Sequence, residues 1–408
     1  MNITMNDNTT ELTHLLYFKD EVYCSLISGF LQKDFTYCEY WLMELFISYD
    51  YSSKSSYCAF NALWYLYFNF IFVNEDMSFN CLSYVYAQYL KYCNRISDIE
   101  KWKILRETLF QLCQTDISLY MFICFQTSEN IDNAEFKYSI YKKCPDFIEN
   151  DNFKCLKTAI YNNNWFNIIL YLNHFKNNND MLFNNLYSFA LIINDDPCFV
   201  SSINLLHKIY KLPLLHVSLK HYICYTLCFI ITHANMFVSK NILLCQPDDN
   251  TFCKFYFDDL NINLPQHVYK TLPCYRRFNV DDSLIGAFNS PCNKLSNKKK
   301  ENILYNHWIY YASTSHVWKM RISSYKGIID DCKRDIIFDD TNGSNQHNSS
   351  FESFYNKYNF EPDECIRINT IQPLCAYDFI CKFCDVSSVG DPFMKSCIEL
   401  FKKCDFVL

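Results

Sequence analysis

The stretch CEYWLMELFISYDYSSKSSYCAFNALWYLYFNFIFVNED, residues 38–76, decides the fold class. From Tyr57 to Val73 it runs for 17 positions without a charge. A membrane-spanning helix needs about 20 predominantly apolar residues and basic flanks that set its orientation. This run is short, carries Asn61, Asn69 and three tyrosines, and has no such flank. A second charge-free run, His221 to Ser239, holds two histidines, Asn235 and two threonines. Both predict buried helices, and no integral membrane association is expected.

Just upstream, Cys38, Trp41, Leu42, Leu45 and Phe46 recur at the spacing of an amphipathic helix. Gly29 is expected to end the preceding helix. Residues 1–144 contain no proline, so helices here are interrupted only by polar loops. Ser97 and Glu100 form a capping-box pattern ahead of KWKILRETLFQLC. Further helical patterns cover 131–143, 152–161, 163–175, 181–193, 197–210 and 214–238. Residues 1–244 therefore predict antiparallel helical hairpins, as a bundle or an irregular solenoid.

The pattern changes at 245–300, where Pro247, Pro265, Pro273 and Pro291 follow one another among basic residues. This is read as an irregular connecting region. Residues 301–408 predict a smaller α+β portion. A helix resumes near Lys298, Ile328-Ile329 and Ile336-Ile337-Phe338 are expected to pair as a β-hairpin, and helical patterns return at 351–359 and 391–404. The fold class is thus mainly α with one short hairpin.

Composition narrows the function classes. The chain has 408 residues and only 5 glycines, with no Walker loop and no G-x-G-x-x-G, which counts against a conventional nucleotide enzyme. The net charge of −7 argues against a globally basic nucleic-acid binder, though not against a local patch. The N-terminus has no basic region followed by a clean apolar run, so no secretory leader is predicted. The 23 cysteines are then expected to be reduced thiols, mostly filling the core.

Two places resemble a known family. Trp41-Leu42-Met43-Glu44-Leu45 followed by Leu63-Trp64-Tyr65-Leu66-Tyr67 is similar to the N-terminal signature of an uncharacterised family of nucleocytoplasmic large DNA viruses. Tyr310-Tyr311-Ala312-Ser313, Val317-Trp318-Lys319-Met320-Arg321-Ile322, Phe354-Tyr355 and Glu361-Pro362-Asp363-Glu364 resemble its C-terminal part. The family often has Pro at the position of His316 and Gln at that of Cys365. The Asn-, Cys- and Phe-rich composition is asfarvirus-like. The resemblance implies a viral protein of the host cytoplasm, at the viral factory or in the virion, and supplies no activity.

Candidate chemistry is sparse. Cys375, Cys381, Cys384 and Cys397 include one C-x-x-C and form a weak zinc candidate set; buried or surface thiols are the simpler reading, and no cofactor is expected. The segment 270–300 sets Lys270, Arg276, Arg277, Lys294, Lys298, Lys299 and Lys300 against Asp281 and Asp282, interleaved with aromatics, a weak nucleic-acid candidate against a solvated linker. Glu361, Asp363 and Glu364 are read as a helix cap or as a dock for a basic partner. Asp-Asp pairs, among them Asp195-Asp196 and Asp330-Asp331, could offer oxygens to Mg²⁺, but their places at element edges favour caps or solvated loops. No catalytic signature appears. The expected function is a non-enzymatic helical interaction protein, a viral assembly or accessory factor with viral or host protein partners. The alternative is a nucleic-acid-associated factor in viral transcription.

Overall fold

A computed structural model describes residues 10–53, 56–72, 79–132, 138–140, 142, 153–213, 215–234, 276–281, 295–338, 350–358, 375–387 and 389–403. The architecture is mainly α with a single two-stranded sheet among those residues. Two compact units are each assembled from separated stretches: one from 60–245 with 374–408, the other from 5–59 with 246–373. The composition-based segments 1–244, 245–300 and 301–408 are contiguous, whereas these units interleave along the chain.

The first unit is built from helical hairpins. Helices Phe79–Asn94 and Asp98–Gln114 pack together, as do Phe153–Tyr161 with Trp165–His174, Asn179–Ile193 with Pro197–Tyr210, and Ala376–Phe383 with Pro392–Lys403. The second and third of these pairs share a partner in the helix Val217–Thr232, which overlaps the second charge-free run and buries Ile223, Cys224, Leu227, Cys228 and Ile230 completely. Its Tyr222 meets Phe125 at 4.0 Å and Phe229 meets Tyr120 at 5.2 Å, so aromatic edges fill the centre. Asp196 caps the Pro197–Tyr210 helix by accepting from the Cys198 and Phe199 amides. Ser97 stands at the N-cap as expected, but its side chain makes no cap hydrogen bond.

In the second unit, helix α1 (Lys19–Leu31) packs on helix α2 (Phe35–Leu45). Gly29 does not end α1. It sits inside the helix where α2 crosses: a Cβ there would lie 2.7 Å from Tyr37 Cδ1 and 3.0 Å from Cys38 Sγ. The chain turns instead at Lys33, with φ of 56°, and Asp34 caps α2 by accepting from the Tyr37 amide at 3.0 Å. The strands β1 (Gly327–Asp330) and β2 (Asp335–Phe338) pair antiparallel, with Ile328 opposite Ile337 and Ile329 opposite Ile336. Asp330 shapes the turn by accepting from the Cys332 and Lys333 amides.

The opening stretch is core, as read. Helix α3 (Cys58–Leu66) continues into a wide π-type turn, Tyr67–Ile71, and Phe60, Leu63, Trp64, Leu66 and Phe68 are fully buried. Among the described residues no helix is long and apolar enough to cross a membrane. Trp41 and Trp64 are both fully buried, Trp41 in the second unit and Trp64 in the first.

Alanine in place of glycine normally favours a helix by about 1 kcal/mol. At Gly29 the expected sign is reversed, because the added methyl must displace the wedged Tyr37 ring, at about 1–3 kcal/mol. Urea unfolding of Gly29→Ala should show a lower midpoint than the parent.

Candidate functional site

The most developed polar constellation lies in the second unit, around the irregular segment Glu11–Phe18. Its Leu12, Thr13, Leu15 and Leu16 are at most 1% exposed. A buried loop must satisfy its backbone from within the protein. Thr13 donates its amide to Tyr17 O at 2.9 Å, and Leu16 takes a positive φ of 59° to close the turn. Leu16 donates to Thr13 O at 3.0 Å and Tyr17 to Thr13 Oγ1 at 3.2 Å, and further partners come from elsewhere in the unit.

Glu44, wholly buried on α2, accepts the Leu15 amide at 2.7 Å. Immediately after α2 the helix widens into a π-type turn, Phe46–Asp50, in which Tyr51 donates to Phe46 O at 2.8 Å. Ser48 in this turn accepts the His14 amide at 2.8 Å. Asp50, at its end, accepts from Ser56 Oγ, the Cys58 amide and the Ala59 amide, and so caps the start of α3. From the helix His316–Ser324, the Trp318 indole donates to Thr13 O at 3.2 Å and His14 O at 3.1 Å. Arg321 Nη2 lies 2.9 Å from His14 Nε2, and its guanidinium faces the rings of Trp318 at 4.5 Å and Tyr358 at 4.7 Å. His14 Nδ1 lies 3.8 Å from Glu44 Oε2. Burial and Arg321 hold the imidazole below its ordinary value while Glu44 pulls the other way, so His14 is neutral.

A second cluster flanks the same segment. Lys19 is paired with Glu11 at 2.6 Å over the Tyr49 ring, and Tyr23 Oη lies 3.2 Å from Cys58 Sγ. A cysteine in the first turn of a helix beside a lysine has the outline of an activated nucleophile. Burial dominates instead and pushes the thiol up to about 11 despite Lys19, so Cys58 stays protonated at neutral pH.

The candidates from sequence are dispersed. Arg276 is turned inward: its Nε donates to Leu15 O at 2.9 Å and its guanidinium covers the Tyr17 ring at 4.1 Å. Arg277, Lys298 and Lys299 are exposed, whereas Lys300 lies half-buried, 5.9 Å from the centre of the Phe18 ring. Phe278 packs edge-on against Tyr37 and Tyr40, and so serves the core rather than offering a stacking face. Cys375 caps the Ala376–Phe383 helix through Asp378, Cys381 is exposed and Cys397 is buried. Among the described residues no three His, Cys, Asp or Glu side chains gather as a metal site. Glu361, Asp363 and Glu364 lie outside the described residues.

His14, Ser48 and Tyr17 were missed by the sequence reading. The signal for His14 is a polar Thr-His pair inside the apolar run LTHLLYF, which implies buried partners. Trp41 and Glu44 from α2 and Trp318 and Arg321 from the helix His316–Ser324 meet around this segment. Comparison with protein-family models, with curated proteins and with solved structures returns no match.

Removing the Glu44 carboxylate leaves the Leu15 amide buried without its acceptor. A hydrogen bond to a charged group contributes about 1.5–3 kcal/mol. Glu44→Ala should lose about that much stability in chemical denaturation, and Glu44→Gln, which retains an acceptor oxygen, clearly less. A chelator should leave the melting temperature of the parent protein unchanged; a fall would restore the zinc reading of Cys375, Cys381, Cys384 and Cys397, since structural zinc contributes folding free energy.

Proposed function

We propose that the chain is a non-enzymatic helical interaction protein, an assembly or accessory factor of the viral kind implied by its motif resemblance, acting in the host cytoplasm through protein partners. The observation that carries this reading is the β-hairpin. Ile328 and Ile337 are cross-strand neighbours on its outer face, 63% and 46% exposed, while Ile336 on the other face is buried. A two-stranded sheet with an apolar pair facing water is a surface that natural proteins cover or blunt. The matching occupant is a protein segment with apolar side chains of its own. The inward orientation of His14, Glu44, Arg321 and Arg276 adds support, because these groups are bonded to the chain itself rather than presented to a substrate.

The test is affinity purification from the native cell with and without nuclease, using the parent chain and Ile328→Lys/Ile337→Lys. Protein partners should survive nuclease and be lost from the double variant at unchanged melting temperature. Partners that vanish with nuclease and ignore the hairpin would instead support the nucleic-acid alternative. That alternative further requires a salt dependence of RNA or DNA binding that weakens on charge reversal of Lys298 and Lys299.

A further inference from the structure

We propose that His14 is the acid-sensitive pin of a latch, and that its protonation releases the Glu11–Phe18 segment from the helix His316–Ser324. The geometry leaves little choice of proton position. A guanidinium has donors and no acceptor, so the 2.9 Å contact with Arg321 Nη2 requires a bare Nε2 on His14. The imidazole proton therefore sits on Nδ1, towards Glu44 Oε2 at 3.8 Å. The neutral ring thus stands between an acid and a base, accepting from one and facing the other with its N–H.

A proton added at Nε2 converts the accepted bond into two N–H groups pointing at each other, both on cations. The attraction to Glu44 grows, but across 3.8 Å against 2.9 Å for the repulsion. Arg321 is itself held between the Trp318 and Tyr358 rings, which favours movement of the loop over movement of the arginine. The Trp318 indole is bonded to the Thr13 and His14 carbonyls, so those two bonds are lost together with the first.

Among the described residues, the charged and titratable groups facing His14 are Glu44 from α2 and Arg321 from the helix His316–Ser324. Tyr358, from the helix Ser350–Tyr358, lies beyond the guanidinium, and Tyr17 and Arg276 lie along the same segment past Leu15. Ser48, from the Phe46–Asp50 turn, does not titrate. Burial and Arg321 place the folded-state titration below the ordinary 6.5. The folded form then binds fewer protons than the released form between those two values. The latch is fully closed above 6.5 and weakens as pH falls towards the depressed value.

The experiment is amide hydrogen exchange of the full chain, read on a peptide covering residues 11–18 between about pH 7 and pH 5 and corrected for the intrinsic pH dependence of exchange. Protection of this peptide should fall by up to about tenfold for each unit of pH within the titrating range, while α1 and α2 stay protected. His14→Gln offers an acceptor that does not titrate, and its protection should be flat with pH. Glu44→Gln removes the charge that raises the folded-state titration of His14, so the fall in protection should begin at the same pH as in the parent but continue to lower pH before it levels off. A variant that was merely less stable would be less protected by the same factor at every pH, with the levelling-off point unmoved. If His14→Gln does not fold, the parent and Glu44→Gln decide alone. The proposal is overturned by constant protection in the parent chain, by the same pH transition in His14→Gln, or by a fall in Glu44→Gln that levels off at a higher pH than in the parent.

Discussion

The second unit depends on one constraint: an irregular segment, Glu11–Phe18, is buried, and its backbone polar groups have to be bonded without water. A helix or strand would meet this need with its own repeating hydrogen bonds. This segment instead uses side chains from distant parts of the chain. Glu44, Ser48, Arg276 and Trp318 each bond its main chain, and Tyr311 offers a carbonyl to the Leu12 amide at 3.3 Å. An unbonded buried amide costs about 1–3 kcal/mol, a large fraction of a domain's net stability. The segment therefore orders α2, the 276–281 strip and the helix His316–Ser324 around itself, and this explains how residues so far apart in sequence form one unit.

The wide turn after α2 follows from the same need. In an uninterrupted α-helix, Ser48 and Asp50 would point in directions about 200° apart. The extra residue in the turn shifts the register, so that Ser48 meets the loop and Asp50 reaches the start of α3. Such turns are uncommon and tend to mark places where side-chain direction matters more than helix regularity. The close crossing at Gly29 serves the same packing by bringing α1 against α2, which carries Glu44.

What was legible in the sequence was whatever is repeated locally. The 3.6-residue periodicity located the helices at 153–161, 197–210 and 392–403 within a residue or two, and the paired isoleucine runs located the hairpin. Local rules misread Gly29, because a glycine that ends a helix and one that admits a neighbouring helix look alike until the neighbour is placed. The discontinuous units were equally hidden, since composition changes along the chain while the packing of 5–59 with 246–373 is nonlocal. Arg276 shows the limit for sites. Within 270–300 it is one basic residue among several, and only its position beside Leu15 O and the Tyr17 ring separates it from the exposed Arg277.

Two helices of the unit share one physical logic. A Trp-x-x-Glu pattern on α2 puts both side chains on one helix face, the tryptophan into the apolar core and the glutamate towards the buried loop. Trp318 and Arg321 repeat that spacing on the helix His316–Ser324, again with one aromatic and one ion on a shared face. The carboxylate and the guanidinium then approach the same imidazole from opposite sides, Oε2 at 3.8 Å from Nδ1 and Nη2 at 2.9 Å from Nε2. Glu and Arg face each other with a neutral histidine between them, each ion bonded to the loop or its ring and not directly to the other. Such an arrangement fixes the register of three chain segments at once, because moving any one of them leaves a buried ion without its partner. The two Trp-x-x-ion spacings therefore act as a packing code for the unit and set the place of the hairpin that follows the His316–Ser324 helix.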